Sequence, residues 1–144
     1  MIDIEPLRAT DRADWETLAR GYKAFYRTPV SDEGYERTWR LLHDDASGLH
    51  GVGARLDGRL VGIAYYLFHA TLWSAESCYL QDLFVDETAR GQGAARALIQ
   101  HVAGQARGAE RLYWTTKQDN TTARVLYDKL ARYNGFIRYD YPLN

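Results

Sequence analysis

Cysteine, proline and methionine are scarce in this chain of 144 residues, which has one Cys, three Pro and one Met. A single cysteine, Cys78, excludes an internal disulfide and any metal site built from several cysteines, and we interpret it as a buried structural thiol. The longest apolar run, residues 60–68, is far shorter than the roughly 20 residues that cross a bilayer. Residues 1–5 lack the basic start of a signal peptide. We therefore expect a cytoplasmic protein without a metal site.

The chain also lacks an excess of charge of either sign. It has 18 Lys and Arg against 19 Asp and Glu, a formal net charge of -1. Surfaces that bind nucleic acid or anionic membranes need a concentrated excess of basic residues, so we expect neither partner. With 46% hydrophobic residues, the chain is most simply one globular domain over residues 1–144.

One stretch, residues 79–99, has a strand-loop-helix pattern. An apolar run leads into the sequence Arg-Gly-Gln-Gly at 90–93, and apolar residues at helical spacing follow. Gly91 and Gly93 allow a ligand to approach the backbone, and the helix that follows directs unpaired N–H groups and the positive end of its dipole at this loop. The pattern predicts a phosphate-binding loop. The Lys-Ser/Thr of a P-loop and the third glycine of a dinucleotide fingerprint are absent.

Hydrophobic periodicity and turn residues predict elements in the order β-α-α-β-β-β-α-β-α-β, a mixed sheet of the α/β (α+β) class. Asp57-Gly58 between two apolar runs is the clearest local signal and predicts a hairpin. The predicted elements are a strand over 2–7, helices over about 11–26 and 31–43, strands over 51–56 and 60–68, a strand ending at 85, a helix after 93, a strand over 111–116, a helix capped by residue 119 or 120, and a last strand over 136–141.

Two motifs accompany this order of elements. The pattern Arg-x-x-Gly-x-Ala at residues 90–95 resembles the Q/R-x-x-G-x-G/A motif of the GNAT superfamily of acetyl-CoA-dependent N-acetyltransferases, and Asn-x-x-Ala-x-x-x-Tyr at 120–127 is similar to a run on that family's fourth helix. The resemblance implies a single GNAT-like domain whose fourth and fifth strands splay apart around acetyl-CoA, the cosubstrate. Residues 68–73 and 112–116 look like those of small bacterial members related to the histone-and-polyamine acetyltransferases.

The resemblance also implies which residues bind coenzyme A. In the family, the loop amides hold the pyrophosphate, and the main chain of the fourth strand binds the pantetheine arm as another strand would. Two residues of the fourth helix touch the cofactor. The implied cofactor-binding residues are Leu83, Phe84, Val85, Arg90, Gly91, Gln92, Gly93, Ala94, Ala95, Arg96, Asn120 and Tyr127.

Acetyl transfer to an amine needs an acid for the departing thiolate and a base for the amine. Tyr127 is the candidate acid, because it lies two helical turns after Asn120 and shares its helix face; a tyrosine that merely packs on the sheet is the alternative. Asp82 is the candidate base. Polyamine acetyltransferases have a glutamate just before the matching aspartate, where this chain has Gln81. A structural role for Asp82, or an amine that arrives neutral, therefore stays open.

Two features bear on the acceptor. Residues 31–45 are locally acidic and would attract a cationic amine, although solvated helix ends explain the same charges. Several aromatic residues at helical spacing either line a cleft or belong to the core; they are Tyr22, Phe25, Tyr26, Tyr35 and Trp39. We interpret His69, at the end of an apolar strand, as structural.

The sequence thus predicts an N-acetyltransferase that moves an acetyl group from acetyl-CoA to a primary amine of a polyamine, a diamine or a peptide, by direct attack in a ternary complex. A non-catalytic acyl-CoA-binding or regulatory module is the alternative, for which Gln81 is the best argument. An enzyme that modifies one protein partner is a third possibility. The related acetyltransferases pair through their C-terminal strands, so the resemblance implies a homodimer with residues 139–141 at an edge.

Overall fold

The computed structural model describes residues 1–143. The strands are β1 (Ile2–Pro6), β2 (Leu49–Leu56), β3 (Arg59–His69), β4 (Ser77–Val85) and β5 (Leu112–Tyr113), and the helices are α1 (Arg12–Phe25), α2 (Asp32–Leu42), α3 (Ala94–Gln105) and α4 (Thr121–Leu130). The strands form one sheet in the order β1-β2-β3-β4-β5. Neighbours from β1 to β4 are antiparallel, and β5 is parallel to β4. The predicted mixed α/β sheet is confirmed.

Local sequence signals set the boundaries of most elements. Asp57 and Gly58, with φ of 51° and 84°, form the turn between β2 and β3, in the left-handed conformation that a type I′ turn requires. Ser31 caps α2, since its Oγ accepts a hydrogen bond of 3.1 Å from the N–H of Gly34. Among the described residues, no helix has the length and apolar character needed to span a membrane.

The two faces of the sheet carry different helices. α3 lies on one face, where Leu98 and Val102 are fully buried in a cluster that includes Cys78, so the prediction of a buried thiol is confirmed. α1 lies on the other face, where the buried Trp15 donates a hydrogen bond of 2.5 Å from Nε1 to the Oη of Tyr65. Burial of each large apolar side chain contributes roughly 1.5–3 kcal/mol. These two clusters therefore fix both helices on the sheet.

β4 contains a bulge at Gln81. Tyr65 of β3 pairs with Asp82 and Tyr66 pairs with Leu80, so Gln81 has no partner on β3. A strand alternates its side chains between two faces, and one extra residue reverses the alternation. Leu80 lies in the cluster under α3, and beyond the bulge the Asp82 side chain points towards α1 instead.

β5 is shorter than predicted. It pairs with β4 only through Cys78 with Leu112 and Tyr79 with Tyr113, and residues 114–116, predicted to continue the strand, do not. Beyond Tyr79, β4 continues to its end with no partner on this side. We call the space along this unpaired edge the β4–β5 gap, and it agrees with the splaying implied by the family resemblance.

The predicted last strand over residues 136–141 is wrong. The C-terminal segment, residues 131–143, contains no helix or strand, and its large apolar side chains are exposed, including Phe136 at 82% and Tyr139 at 87%. A strand needs an edge that supplies hydrogen bonds. Because β5 has only two residues, it offers this segment almost no edge to pair with, and the segment forms no strand within the described residues.

A buried ion pair ties the start of α1 to the sheet. Nη2 of Arg55 on β2 donates to Oδ2 of Asp11 at 2.6 Å, and the Arg8 N–H donates to the same oxygen at 2.7 Å. Burial alone would raise the pKa of the Asp11 carboxyl, but the hydrogen bonds from Arg55 and Arg8 outweigh it and the pKa is lowered. A carboxyl with a lowered folded-state pKa stabilises the fold above about pH 4, and this contribution disappears as the pH falls through the folded-state value.

We expect Asp11→Ala to lower the free energy of unfolding by about 3 kcal/mol at pH 7, because it leaves the buried guanidinium without its main partner. It should also flatten the loss of stability below about pH 4. Urea unfolding at pH 7 and pH 3 measures both effects. Asp128→Ala, which removes an exposed carboxyl of α4, is the control and should change stability by less than about 0.5 kcal/mol. Equal pH slopes in wild type and Asp11→Ala would contradict this role.

Candidate active site

The loop before α3 has the geometry of an anion site. We call residues 90–96 the glycine loop. Gly91 and Gly93 have φ of 81° and 88°, and a Cβ added to either would meet no atom within 4 Å. Gly93 is the N-cap residue of α3 and brings no side-chain cap. Within residues 1–143, the N–H groups of 91–96 have no acceptor, and the positive end of the α3 dipole lies behind them.

Arg90 connects the glycine loop to β4. Its Nε donates to the carbonyl oxygen of Val85 at 3.2 Å, and its guanidinium lies 5.7 Å from the centroid of the Phe84 ring. Its own amide donates to the carbonyl of Glu87. Arg90 thus orients the loop through its side chain, while the free amides belong to residues 91–96.

The unpaired edge of β4 lies next to this loop. Leu83, Phe84 and Val85 pair with β3 on one side, and no strand pairs with them on the side of the β4–β5 gap. Phe84 packs under α1 at Gly21, where a Cβ would come within 3.1 Å of the ring. A cleft of about 580 Å³ opens on this α1 side of the sheet; its lining comes from α1, the start of β3 and the segment from Phe84 to Arg90, and includes no residue of β5 or α4. An extended chain of amide groups fits such an edge.

Tyr127 and Asn120 lie on the α4 side of the gap. The Tyr127 ring is partly buried and meets Trp114 edge-on at 5.4 Å between centroids. Burial, and then the proximity of Tyr26, raise the pKa of the Tyr127 phenol, so the group carries its proton at neutral pH. Its hydroxyl bonds to no described residue. Asn120 is the N-cap residue of α4, one of the two predicted positions, but its side chain makes no cap hydrogen bond; its Nδ2 donates to Oγ1 of Thr116 at 3.0 Å.

Asp82 faces Tyr22, one of the aromatic residues for which the sequence left both a cleft and the core open. The Tyr22 hydroxyl on α1 donates a hydrogen bond of 2.8 Å to Oδ1 of Asp82. Burial, and then the Asp82 charge, raise the pKa of Tyr22, so the phenol stays protonated and remains the donor. Gln81, at the bulge, is exposed. Of Gln81 and Asp82, Asp82 is therefore the one whose side chain faces α1.

Tyr26 is the neighbour of Tyr22 at the end of α1. Its ring centroid is 5.0 Å from that of Tyr22. After the larger effect of burial, Tyr26 also contributes to the raised pKa of both Tyr22 and Tyr127. We call Tyr22 and Tyr26 the tyrosine pair.

The acidic segment over residues 31–45 does not form an open negative patch. Arg20 pairs with Asp32 at 2.7 Å, and Arg12 pairs with Glu36 at 2.5 Å. Tyr35 and Trp39 pack on Trp15 of the core and do not line the site. These contacts support the alternative that the charges belong to solvated helix surfaces, and that Tyr35 and Trp39 belong to the core.

His69 takes part in an aromatic cluster at the closed end of the gap. Its Nε2 lies 2.7 Å from the hydroxyl of Tyr113, and the Tyr113 ring stacks on Tyr79 at 4.9 Å. The cluster lies where the pairing of β4 with β5 ends. It holds the two strands together at that point, in agreement with the structural role expected for His69.

Comparisons with known proteins agree on one family. The pattern of the Acetyltransferase (GNAT) family matches residues 15–131. The chain is 33% identical over 135 residues to the D-amino-acid N-acetyltransferase HPA3 of Saccharomyces cerevisiae, a match that covers 90% of this chain and 84% of the relative.

Solved structures share the fold. The ribosomal-protein-alanine N-acetyltransferase of Brucella melitensis biovar Abortus 2308 superposes with a TM-score of 0.81 at 24% identity, covering 100% of both chains. AAC(6')-Iy in complex with a bisubstrate analog of CoA superposes with a TM-score of 0.80 at 22% identity, covering 100% of this chain and 99% of that one. The motifs, the sheet and these matches agree: the chain belongs to the GNAT family of acetyltransferases and is an acyltransferase.

Proposed function

We propose that the protein transfers the acetyl group of acetyl-CoA to a primary amine, by direct attack within a ternary complex. The observation that carries the proposal is that a carboxylate, Asp82, held by Tyr22, lies on the stretch of β4 that has no partner on the β5 side, while burial keeps the phenol of Tyr127 on α4 protonated. A base for the amine and an acid for the leaving sulfur are what this reaction requires.

The proposal assigns coenzyme A to the β4–β5 gap. The free amides of residues 91–96 suit a diphosphate in number and direction, and the open space around Gly91 and Gly93 gives it room. The main chain of residues 83–85 would bind the pantetheine arm, and the side-chain Oδ1 of Asn120, whose Nδ2 donates to Thr116, would accept a hydrogen bond from it. Acetyl-CoA supplies the activated acyl group.

The proton transfers then follow from the side chains. Asp82 accepts a proton from the acceptor's ammonium group, and the neutral nitrogen attacks the thioester carbonyl carbon. The C–N bond forms, the C–S bond breaks, and Tyr127 gives its phenolic proton to the leaving sulfur. Tyr127 regains a proton from the nitrogen of the new amide through solvent. Tyr22 holds the Asp82 carboxylate in place by its hydrogen bond.

The acceptors to test are polyamines, diamines, peptide amines and amino acids. The yeast relative is named for D-amino acids, which supports the inclusion of free amino acids of both hands. A non-catalytic acyl-CoA-binding module is the competing function, because Gln81 stands where polyamine acetyltransferases have glutamate. Tight binding of coenzyme A with no amine-dependent thiol release would favour that module.

Tyr127→Phe should lower kcat by well over tenfold, because it removes the acid, and general acid–base groups typically contribute about 10²–10⁴-fold. The dissociation constant of coenzyme A should stay nearly unchanged. Thiol release measures the first quantity and calorimetry the second. Tyr133→Phe removes a hydroxyl from a tyrosine that is 66% exposed and should leave both unaltered. Unchanged turnover in Tyr127→Phe would rule out the phenol as the acid.

Gly93→Ala should weaken coenzyme A binding by about tenfold or more, because an alanine at this positive φ costs about 1–2 kcal/mol and shifts the loop amides. Gly104→Ala, at a helical position with no contact within 4 Å of the new Cβ, is the matched control and should bind as wild type does. Calorimetric titration compares the three proteins. Absence of any binding heat with the folded wild type would overturn the assignment of the glycine loop.

We also propose a homodimer in which a second copy covers the C-terminal segment. The support is the run of exposed apolar side chains in this segment, since contiguous exposed apolar surface marks an interaction site. Their exposed fractions are 82% for Phe136, 70% for Ile137, 87% for Tyr139, 85% for Tyr141 and 91% for Leu143.

Wild type should therefore have the mass of a dimer in light scattering after gel filtration. The double variant Phe136→Asp, Tyr139→Asp should have the mass of a monomer, because it places two carboxylates in the apolar contact. Val125→Asp, at a side chain of α4 that is 60% exposed, should remain dimeric. A monomeric wild type would refute the homodimer.

A further inference from the structure

The side chain of Phe84 is a part of β4 that the proposed chemistry does not use, since coenzyme A is assigned to the main chain of this strand. The ring is half-buried and packs on the core cluster that contains Trp15. Asp82 lies two positions earlier in the strand, so the two side chains share a face of the sheet. Both contact Tyr22 of α1.

The Phe84 ring rests against α1 at Gly21. A Cβ added at position 21 would lie 3.1 Å from both Cε2 and Cζ of the ring, which is closer than ordinary van der Waals contact. The φ of Gly21 is not positive, so the helix backbone itself does not require glycine here. Glycine is also a poorer helix former than alanine. The feature that Gly21 provides is therefore space for the ring.

The same ring meets Tyr22 edge-on. The two ring centroids are 6.2 Å apart and the ring planes are inclined at 85°, an arrangement that aromatic pairs prefer. The Tyr22 hydroxyl donates its hydrogen bond of 2.8 Å to Oδ1 of Asp82. Tyr22 thus has the carboxylate at its hydroxyl and the edge of Phe84 against its ring, and the second contact restricts the orientation in which the first is made.

Arg90 supplies another contact of the Phe84 ring. Its guanidinium lies 5.7 Å from the ring centroid, and its Nε is bound to the carbonyl oxygen of Val85. The ring therefore has neighbours on α1 and on the glycine loop, and these neighbours define its position before any ligand binds.

We propose that Phe84 is a positioning residue of the candidate active site, whose ring, seated on Gly21, holds Tyr22 in the orientation that bonds Asp82. Because Asp82 is the base only under the proposed acetyltransferase function, this inference rests on that function. The ring touches no reacting atom. Its removal should lower kcat and leave the binding of coenzyme A, which uses the main chain of this residue, nearly unchanged.

The test is a double-mutant cycle of wild type, Phe84→Leu, Tyr22→Phe and the double variant. Thiol release at saturating acetyl-CoA, with the acceptor that wild type turns over fastest, gives kcat. Phe84→Leu should lower kcat by about tenfold, since a displacement of about 1 Å can cost about 10²-fold, and Tyr22→Phe should lower it at least as much. In the Tyr22→Phe background, which has already lost the hydrogen bond, Phe84→Leu should lower kcat by less than about twofold, because residues that act through one contact are not additive.

Gly21→Ala tests the seat of the ring without removing the ring. The added methyl group should lower kcat by about threefold to tenfold, while the midpoint of thermal unfolding stays the same or rises, because alanine favours the helix. Leucine lacks Cε2 and Cζ, so adding Gly21→Ala to Phe84→Leu should cause no further loss. Gly104→Ala, at a helical glycine where a Cβ meets no atom within 4 Å, is the matched control and should turn over as wild type does.

Phe25→Leu removes a ring that lines the same cleft and is 53% exposed, and it should leave kcat unaltered. Calorimetry with coenzyme A verifies that each variant is folded. An unchanged kcat in Phe84→Leu or in Tyr22→Phe, an equal loss from Phe84→Leu in both backgrounds, or weaker coenzyme A binding by Phe84→Leu would overturn the inference and leave the acetyltransferase function standing. No thiol release by wild type with any acceptor would refute the function, and the inference with it.

Discussion

The pairing of β4 with β5 over only two residue pairs is the constraint on which the candidate site depends. A longer parallel ladder would satisfy the edge of β4 and leave no place for an extended ligand. The cluster of His69, Tyr79 and Tyr113 fixes the point where pairing stops. Beyond that point, the free edge leads directly to the unpaired amides of the glycine loop. The unpaired edge of β4 thus runs from the glycine loop to the centre of the sheet.

The position of α1 determines which side chains face β4. Trp15 anchors the helix in the core, and the Asp11–Arg55 pair fixes its start. Tyr22 lies two turns after Trp15, and Tyr26 lies one turn further, so all three share a helix face. The same packing that stabilises the fold therefore aims the tyrosine pair at β4. The bulge at Gln81 completes the arrangement, because it turns Asp82 towards these rings.

Much of the fold could be predicted because its signals are local. The Asp57-Gly58 turn, the Ser31 cap and the glycine loop each depend on a few neighbouring residues, and the structure has them where the sequence places them. The last strand failed because a strand exists only with a partner edge, which the alternation of residues 136–141 cannot supply. The hydrogen bond between Tyr22 and Asp82 also depends on a tertiary contact, because it joins residues 60 positions apart. Local sequence signals could therefore not predict it.

The sequence by itself determined the order of elements from β1 to α4, the hairpin, the glycine loop and the family motifs, because periodicity, turn residues and capping act over a few residues. The tertiary structure alone decided how far β5 pairs with β4 and which side of the sheet Asp82 faces. It also brought Tyr22 of α1 within hydrogen-bond distance of Asp82 on β4. These outcomes depend on register and on contacts between distant segments. A single inserted residue such as Gln81 reverses the face that Asp82 occupies without any change in local propensity.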